Sequence, residues 1–237
     1  NAGNYQGRVV SAIGVSHQQD NHGLITISLT PSATLSGTLK LGESSYPFTG
    51  EVHPGGGARF GKERIATLTI PRPGRASLLL SFGFNLVQRT FTGEVGEQKR
   101  TGIQPMSSFS GGRKRNELAS GSLLFGNGGR YQTTLTQENP ASGTPGYPSV
   151  ATSLLVGTLS KACVLTLVGT LTDGSKVTAS ADLQESGQMA LHDLLDAKAG
   201  SLTALLVWSE STPGFAGTGG VWFKPVTNTG AFPFGWP

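Results

Sequence analysis

The residues able to do chemistry are few, and most sit where chemistry is hard to build. His17, Asp20 and His22 crowd one short polar loop, SHQQDNH, and their spacing invites a metal. Zinc needs ligands held by rigid elements and a third or fourth donor close by. His53 and His192 are remote in sequence, so no metal is expected here. Asp173-Gly174-Ser175 suggests calcium, but no closing glutamate follows at the required spacing, and Asp-Gly between apolar runs already explains a hairpin turn. His192-Asp193 is not a triad, because neighbours on a strand point to opposite faces. No Gly-x-Ser-x-Gly elbow is present. Gly55-Gly56-Gly57 and Gly126-Asn127-Gly128-Gly129 are not followed by helical patterns, so they read as turns and not as phosphate loops. No catalytic, cofactor or metal residue is assigned, and a non-enzymatic protein is expected.

Charge points to no nucleic-acid partner. The net charge is +4 with a pI near 9.4, yet the basic residues form no stripe interleaved with aromatics. Lys99-Arg100 and Arg113-Lys114-Arg115 lie in a Gly/Ser-rich stretch and read as solvated. The single cysteine, Cys163, excludes an internal disulfide and a multi-cysteine metal site. It reads as a small buried hydrophobe. No apolar run is long enough for a membrane-spanning helix. The chain opens at Asn1, which fits a mature protein whose signal peptide has been removed, or a fragment.

The elements behind these residues are strands. Glycine is frequent at 35 residues, while charged residues are only 14%. Thr34 to Val52, TLSGTLKLGESSYPFTGEV, alternates apolar and polar on both sides of a Gly-led turn. That pattern marks an antiparallel hairpin with one buried face, placing Leu39, Tyr46 and Phe48 inside. Leu171 and Val177 are read as inward-facing in the same way. The predicted fold is all-β: two pseudo-repeated antiparallel halves of many short strands, as bent sheets, partial barrels or a sandwich. Gly3-Asn4-Tyr5-Gln6 is echoed by Gly129-Arg130-Tyr131-Gln132, and Gly37-Thr38-Leu39 by Gly169-Thr170-Leu171, in the same order. The halves are placed at 1–95 and 129–237, joined by a partly ordered connector over 96–128. His53 to Gly61 reads as an irregular turn, and a short helical turn is allowed for within 191–199.

This succession of G-x-Y, G-x-L, aromatic-T-G, G-R-Y, G-T-L-x-D-G-S at Gly169, S-x-x-G-Q at Ser186 and a terminal aromatic-P-x-G-aromatic resembles an uncharacterised duplicated β-module. That module occurs in large secreted or surface proteins of environmental Gram-negative bacteria. The resemblance implies an extracellular or cell-surface location and no catalytic residues.

Aromatics gather at the C-terminal end, which holds all three tryptophans. Phe232-Pro233-Phe234-Gly235-Trp236 must cover a groove on its own unit or dock on another copy. Tyr5, Phe232, Phe234 and Trp236 are therefore the candidate assembly residues. The expected function is a secreted or cell-surface structural or interaction protein that associates with itself or with other surface proteins. A carbohydrate- or small-ligand-binding module, with a glycan as partner, is the first alternative, and an unrecognised hydrolase the second.

Overall fold

In the computed structural model, the described residues are 2–15, 18–118, 129–136, 152–171, 174–195, 200–209 and 214–223. The chain divides into two compact units, 1–114 and 115–237.

The first unit opens with β1 (Gly3–Ser11), a short 3-10 turn at Gln19–Asn21 and β2 (Gly23–Leu29). β3 (Thr34–Leu41) and β4 (Ser44–Val52) form the hairpin read from the sequence, with Leu39 opposite Tyr46 and Gly37 opposite Phe48. Leu39 and Phe48 are buried and Tyr46 is half-buried, so the predicted register holds. β5 (Ala58–Arg59) and β6 (Leu68–Arg72) follow, then β7 (Arg75–Asn85), β8 (Thr90–Lys99) and β9 (Gly102–Arg113).

Every pairing is antiparallel, and the sheet order is β5-β4-β3-β2-β1-β9-β8-β7-β6. This is an up-and-down meander whose last strand returns to the first. β5 pairs with β4, β6 pairs with β7, and a bridge joins Gly57 to Gly83. Phe60 and Ile65 exchange backbone hydrogen bonds of 2.8 and 3.1 Å, closing the short excursion between β5 and β6. β5 and β6 thus act as one interrupted strand, and the sheet becomes a nearly closed barrel. Closure hides the edges that an open sheet would expose.

The core follows from the alternation. One face of β2 and β3 supplies Ile25, Ile27, Leu35, Leu39 and Leu41, all buried. Opposite them, Phe82, Phe84, Phe91 and Phe109 meet edge to face or tilted, with centroids 5.8 to 6.5 Å apart. Rings of this size fit a small barrel only because glycine stands beside them. A Cβ on Gly37 would lie 2.5 Å from Phe48, and one on Gly93 would lie 2.4 Å from Phe109. Large and small residues alternate, and the interior is filled by side chains.

Two expectations need correction. Residues 96–113 are not a connector: they complete β8 and form β9, which lies between β8 and β1. The break falls at Lys114–Arg115. Gly and Ser there satisfy the close approach of barrel strands, as where Gly111 faces Gly7. Likewise Ala58–Arg59 is a strand within the stretch read as an irregular turn.

The second unit has β10 (Arg130–Thr136), β11 (Thr152–Leu159), β12 (Val164–Thr170) and β13 (Lys176–Asp182) in one antiparallel sheet. A second sheet holds β14 (Gln188–Leu195), β15 (Gly200–Ser209) and β16 (Gly214–Phe223). β13 packs along β14 and β10 along β16, so the two sheets enclose one core. Leu171 and Val177 are buried as expected, and Cys163 is fully buried. Residues 191–195 belong to β14, and 196–199 lie outside the described residues.

The two units use the same local devices. Before β3, Ala33 adopts φ 64° and its carbonyl accepts from the Val52 amide at 2.8 Å. Before β12, Cys163 adopts φ 58° and its carbonyl accepts from the Leu183 amide at 2.8 Å. Gly56 (φ 89°) accepts from Phe84 N–H, and Gly187 (φ 82°) accepts from Trp208 N–H. An aromatic trio completes each core: Tyr5 with Phe84 and Phe91, and Tyr131 with Trp208 and Phe215.

Candidate functional site

Alternation points one charged residue inward. Leu68, Ile70 and Arg72 share a face of β6, so Arg72 follows two core residues toward the mouth of the first barrel. It is 8% exposed. The turn Pro71-Arg72-Pro73-Gly74-Arg75, with Gly74 at φ 70°, then brings Arg75 to the same end. On the facing strands the ladder slips: Val95 pairs with Ser107 but Gly96 with Pro105, leaving Met106 as an extra residue. Such bulges re-aim side chains at barrel rims. Met106 accordingly lines the mouth with Pro105 and Val15.

A cleft of about 340 Å³ results. Its charges are organised in pairs. Arg72 donates from Nη2 to Glu97 Oε1 and from Nε to the Ala76 carbonyl, the latter at 2.7 Å. Arg75 donates from Nη1 to Asp20 Oδ2 at 2.5 Å, and this bond with the carboxylate charge raises the Arg75 pKa above its ordinary value. Lys99 Nζ stands 3.6 Å from the other oxygen of Glu97. Gln18, Asn21 and Gln104 add amide groups to the wall. The arrangement offers fixed hydrogen-bond donors and acceptors around a small apolar floor, which is chemistry for binding a polar molecule.

The sequence-predicted residues fall as follows. Tyr5 is 2% exposed, its ring 5.1 Å from Phe84. It lies in the core, because β1 is flanked on both sides by β2 and β9 and its odd positions face inward. Its ring therefore offers no outer surface to a neighbour. Phe232, Phe234 and Trp236 lie outside the described residues, as do His17 and Asp173. Asp20 turns to Arg75, whereas His22 is buried and shares a 3.1 Å hydrogen bond with Ser11 Oγ. His192 Nδ1 lies 2.8 Å from Thr203 Oγ1, while Asp193 accepts from the Thr178 amide at 3.1 Å. The pair serves different neighbours. Burial raises the Asp193 pKa, against the lowering effect of two backbone hydrogen bonds.

The basic clusters are divided among elements. Lys99 ends β8, Arg113 ends β9, and Arg115 in the second unit donates to the Glu185 carbonyl at 3.2 Å. Sequence reading missed the mouth residues, since Asp20, Arg72, Arg75 and Glu97 are scattered along the chain. One signal was present: an arginine at an inward position directly after the apolar run of β6.

On the second unit, the outer face of β11 and β12 carries Leu154, Val156 and Val168, which are 52%, 48% and 51% exposed. Val156 and Val168 are cross-strand partners. No helix among the described residues is long and apolar enough to cross a membrane.

The sequence matches no protein-family model and no curated protein. Among solved structures it is similar to a protein of unknown function from the DUF3598 family of Nostoc punctiforme, at 15% identity and a TM-score of 0.27. That likeness covers 87% of this chain and 76% of the other, and is too distant to inform function.

Proposed function

We propose that the chain is a non-enzymatic structural or interaction protein, built from two copies of one antiparallel module and acting outside the cell or at its surface. It associates through an outer sheet face with further copies of itself. The matched turns and aromatic trios of the two units support the duplication. The extracellular setting draws its support from the sequence resemblance and the low charged content.

The observation that carries self-association is the exposed aliphatic row on β11 and β12. The inner face of these strands is already filled by Leu155, Leu165 and Leu167. Leu154, Val156 and Val168 add nothing to that core and remain half exposed. Fully burying one such side chain is worth about 1.5–3 kcal/mol. Around them stand Thr158, Thr166 and Thr178, exposed and uncharged, with Arg130 and Lys176 at the margin of the same face. A self-complementary patch of this kind suits a two-fold contact between identical chains. Light scattering across a dilution series tests the reading. A mass that rises with concentration, and falls to the monomer in Val156→Glu without change in the far-UV spectrum, is the expected outcome. A wild-type chain that stays monomeric to high micromolar concentration overturns it.

A further inference from the structure

The cleft at the mouth of the first barrel carries a second, independent conclusion. We infer that it binds a small hydroxylated carboxylic acid of the sugar-acid class, one saccharide unit in size. The proposal holds whether or not the chain associates with itself.

Size comes first. Ligand pockets generally span ~300 to 1,000 Å³, and about 340 Å³ is at the small end. One ring with its substituents fills it, and a longer chain has to leave through the open side.

Charge comes second. Arg72, Arg75 and Lys99 face Asp20 and Glu97 across the cleft, three cations to two carboxylates. The surplus is one positive charge. A monoanion is matched; a phosphate ester close to two negative charges is not, because it would overrun the surplus beside two fixed carboxylates.

Hydrogen bonding comes third. The Arg72 guanidinium has five N–H donors. Its recorded bonds, to Glu97 and to the Ala76 carbonyl, use Nη2 and Nε. Among the described residues no group bonds Nη1, although the side chain is only 5% exposed. Nη1 is not sealed from solvent, and Arg72 lines the cleft, so this donor is open to an acceptor from outside the chain. A ligand carboxylate at Nη1, within reach of the loosely held Lys99, supplies it. Asp20 and Glu97 are acceptors only, and they call for hydroxyl donors. Gln18, Asn21 and Gln104 take either role. A molecule with one carboxylate and several hydroxyls matches the surplus charge and can donate to the remaining lone pairs of Asp20 and Glu97, whereas a fatty acid has no hydroxyl to donate. Val15, Pro105 and Met106 give its C–H face an apolar floor.

The chain contains two methionines, Met106 in the cleft and Met189 in the core of the second unit. Carbon-13 methyl labelling therefore gives one reporter and one internal control. The full chain is titrated with glucuronate, glucuronate methyl ester, glucose and glucose 6-phosphate. Glucuronate is expected to shift Met106 and leave Met189 in place, with a Kd of about 1 mM or tighter. The ester and the other two compounds are expected to bind at least several-fold more weakly. Lys99→Gln, at an exposed position, is expected to weaken glucuronate several-fold while leaving glucose unchanged. Gln104→Glu cancels the surplus charge and is expected to abolish the preference for acid over ester. No shift of Met106 with any compound at millimolar concentration overturns the site. Equal binding of acid and ester, or tighter binding of the phosphate, overturns the assignment of the ligand class.

Discussion

Asp193 shows how one residue ties burial to pH. It sits on β14, where it accepts from the Thr178 amide, yet desolvation outweighs that help and raises its pKa. A carboxyl whose folded pKa lies above its unfolded value favours the protonated fold. Its contribution is fully present below the ordinary aspartate range and is lost as pH rises through the raised folded value. Asp193→Asn keeps an oxygen to accept from Thr178 and removes the titration. The variant is expected to lose the wild type's decline in melting temperature across that window. Matching slopes for the two proteins would show that Asp193 has no part in the pH dependence. The neighbouring His192 is hydrogen-bonded to Thr203 instead.

At the scale of the strand, glycine does two jobs that the sequence does not distinguish. Gly83 and Gly93 lie on adjacent strands, β7 and β8. A Cβ on Gly93 would meet Phe109 and the Ser81 carbonyl at 2.4 Å, while one on Gly83 finds nothing nearer than 3.7 Å. Gly93→Ala therefore overpacks the core and is expected to cost about 1–3 kcal/mol in urea unfolding. Gly83→Ala is expected to stay within about 0.5 kcal/mol of wild type. A Gly93→Ala protein as stable as the wild type would mean that the aromatic cluster can move aside. The same crowding explains why Gly/Ser-rich residues 102–113, which read as a connector, form an interior strand. Small residues there mark close backbone approach, and close approach leaves no periodicity of its own.

For the whole molecule, the two cores share no residue: one ends at Phe109 and the other begins at Leu118. Each unit holds its own buried cluster and its own set of turns. Residues 115–237 expressed alone are expected to fold cooperatively, with near-UV signal from the Trp208–Tyr131–Phe215 trio. A chain lacking that signal and cooperative melting would show that the division falls elsewhere. All three tryptophans lie in this half, so tryptophan fluorescence, excited apart from tyrosine, is the probe for it.

The amino-acid sequence by itself determined the strand class, the hairpin register at Leu39–Tyr46 and the inward faces of Leu171 and Val177. Period-two alternation is a local property, and burial of one face enforces it. Tertiary structure alone decided that β9 returns to β1, which makes a bent sheet into a nearly closed barrel, and that Tyr5 is core. Closure depends on which distant strands meet, and no local pattern encodes that. The charged mouth was hidden for the same reason. Asp20, Arg72, Arg75 and Glu97 become neighbours only when three separate segments reach the same end of one barrel.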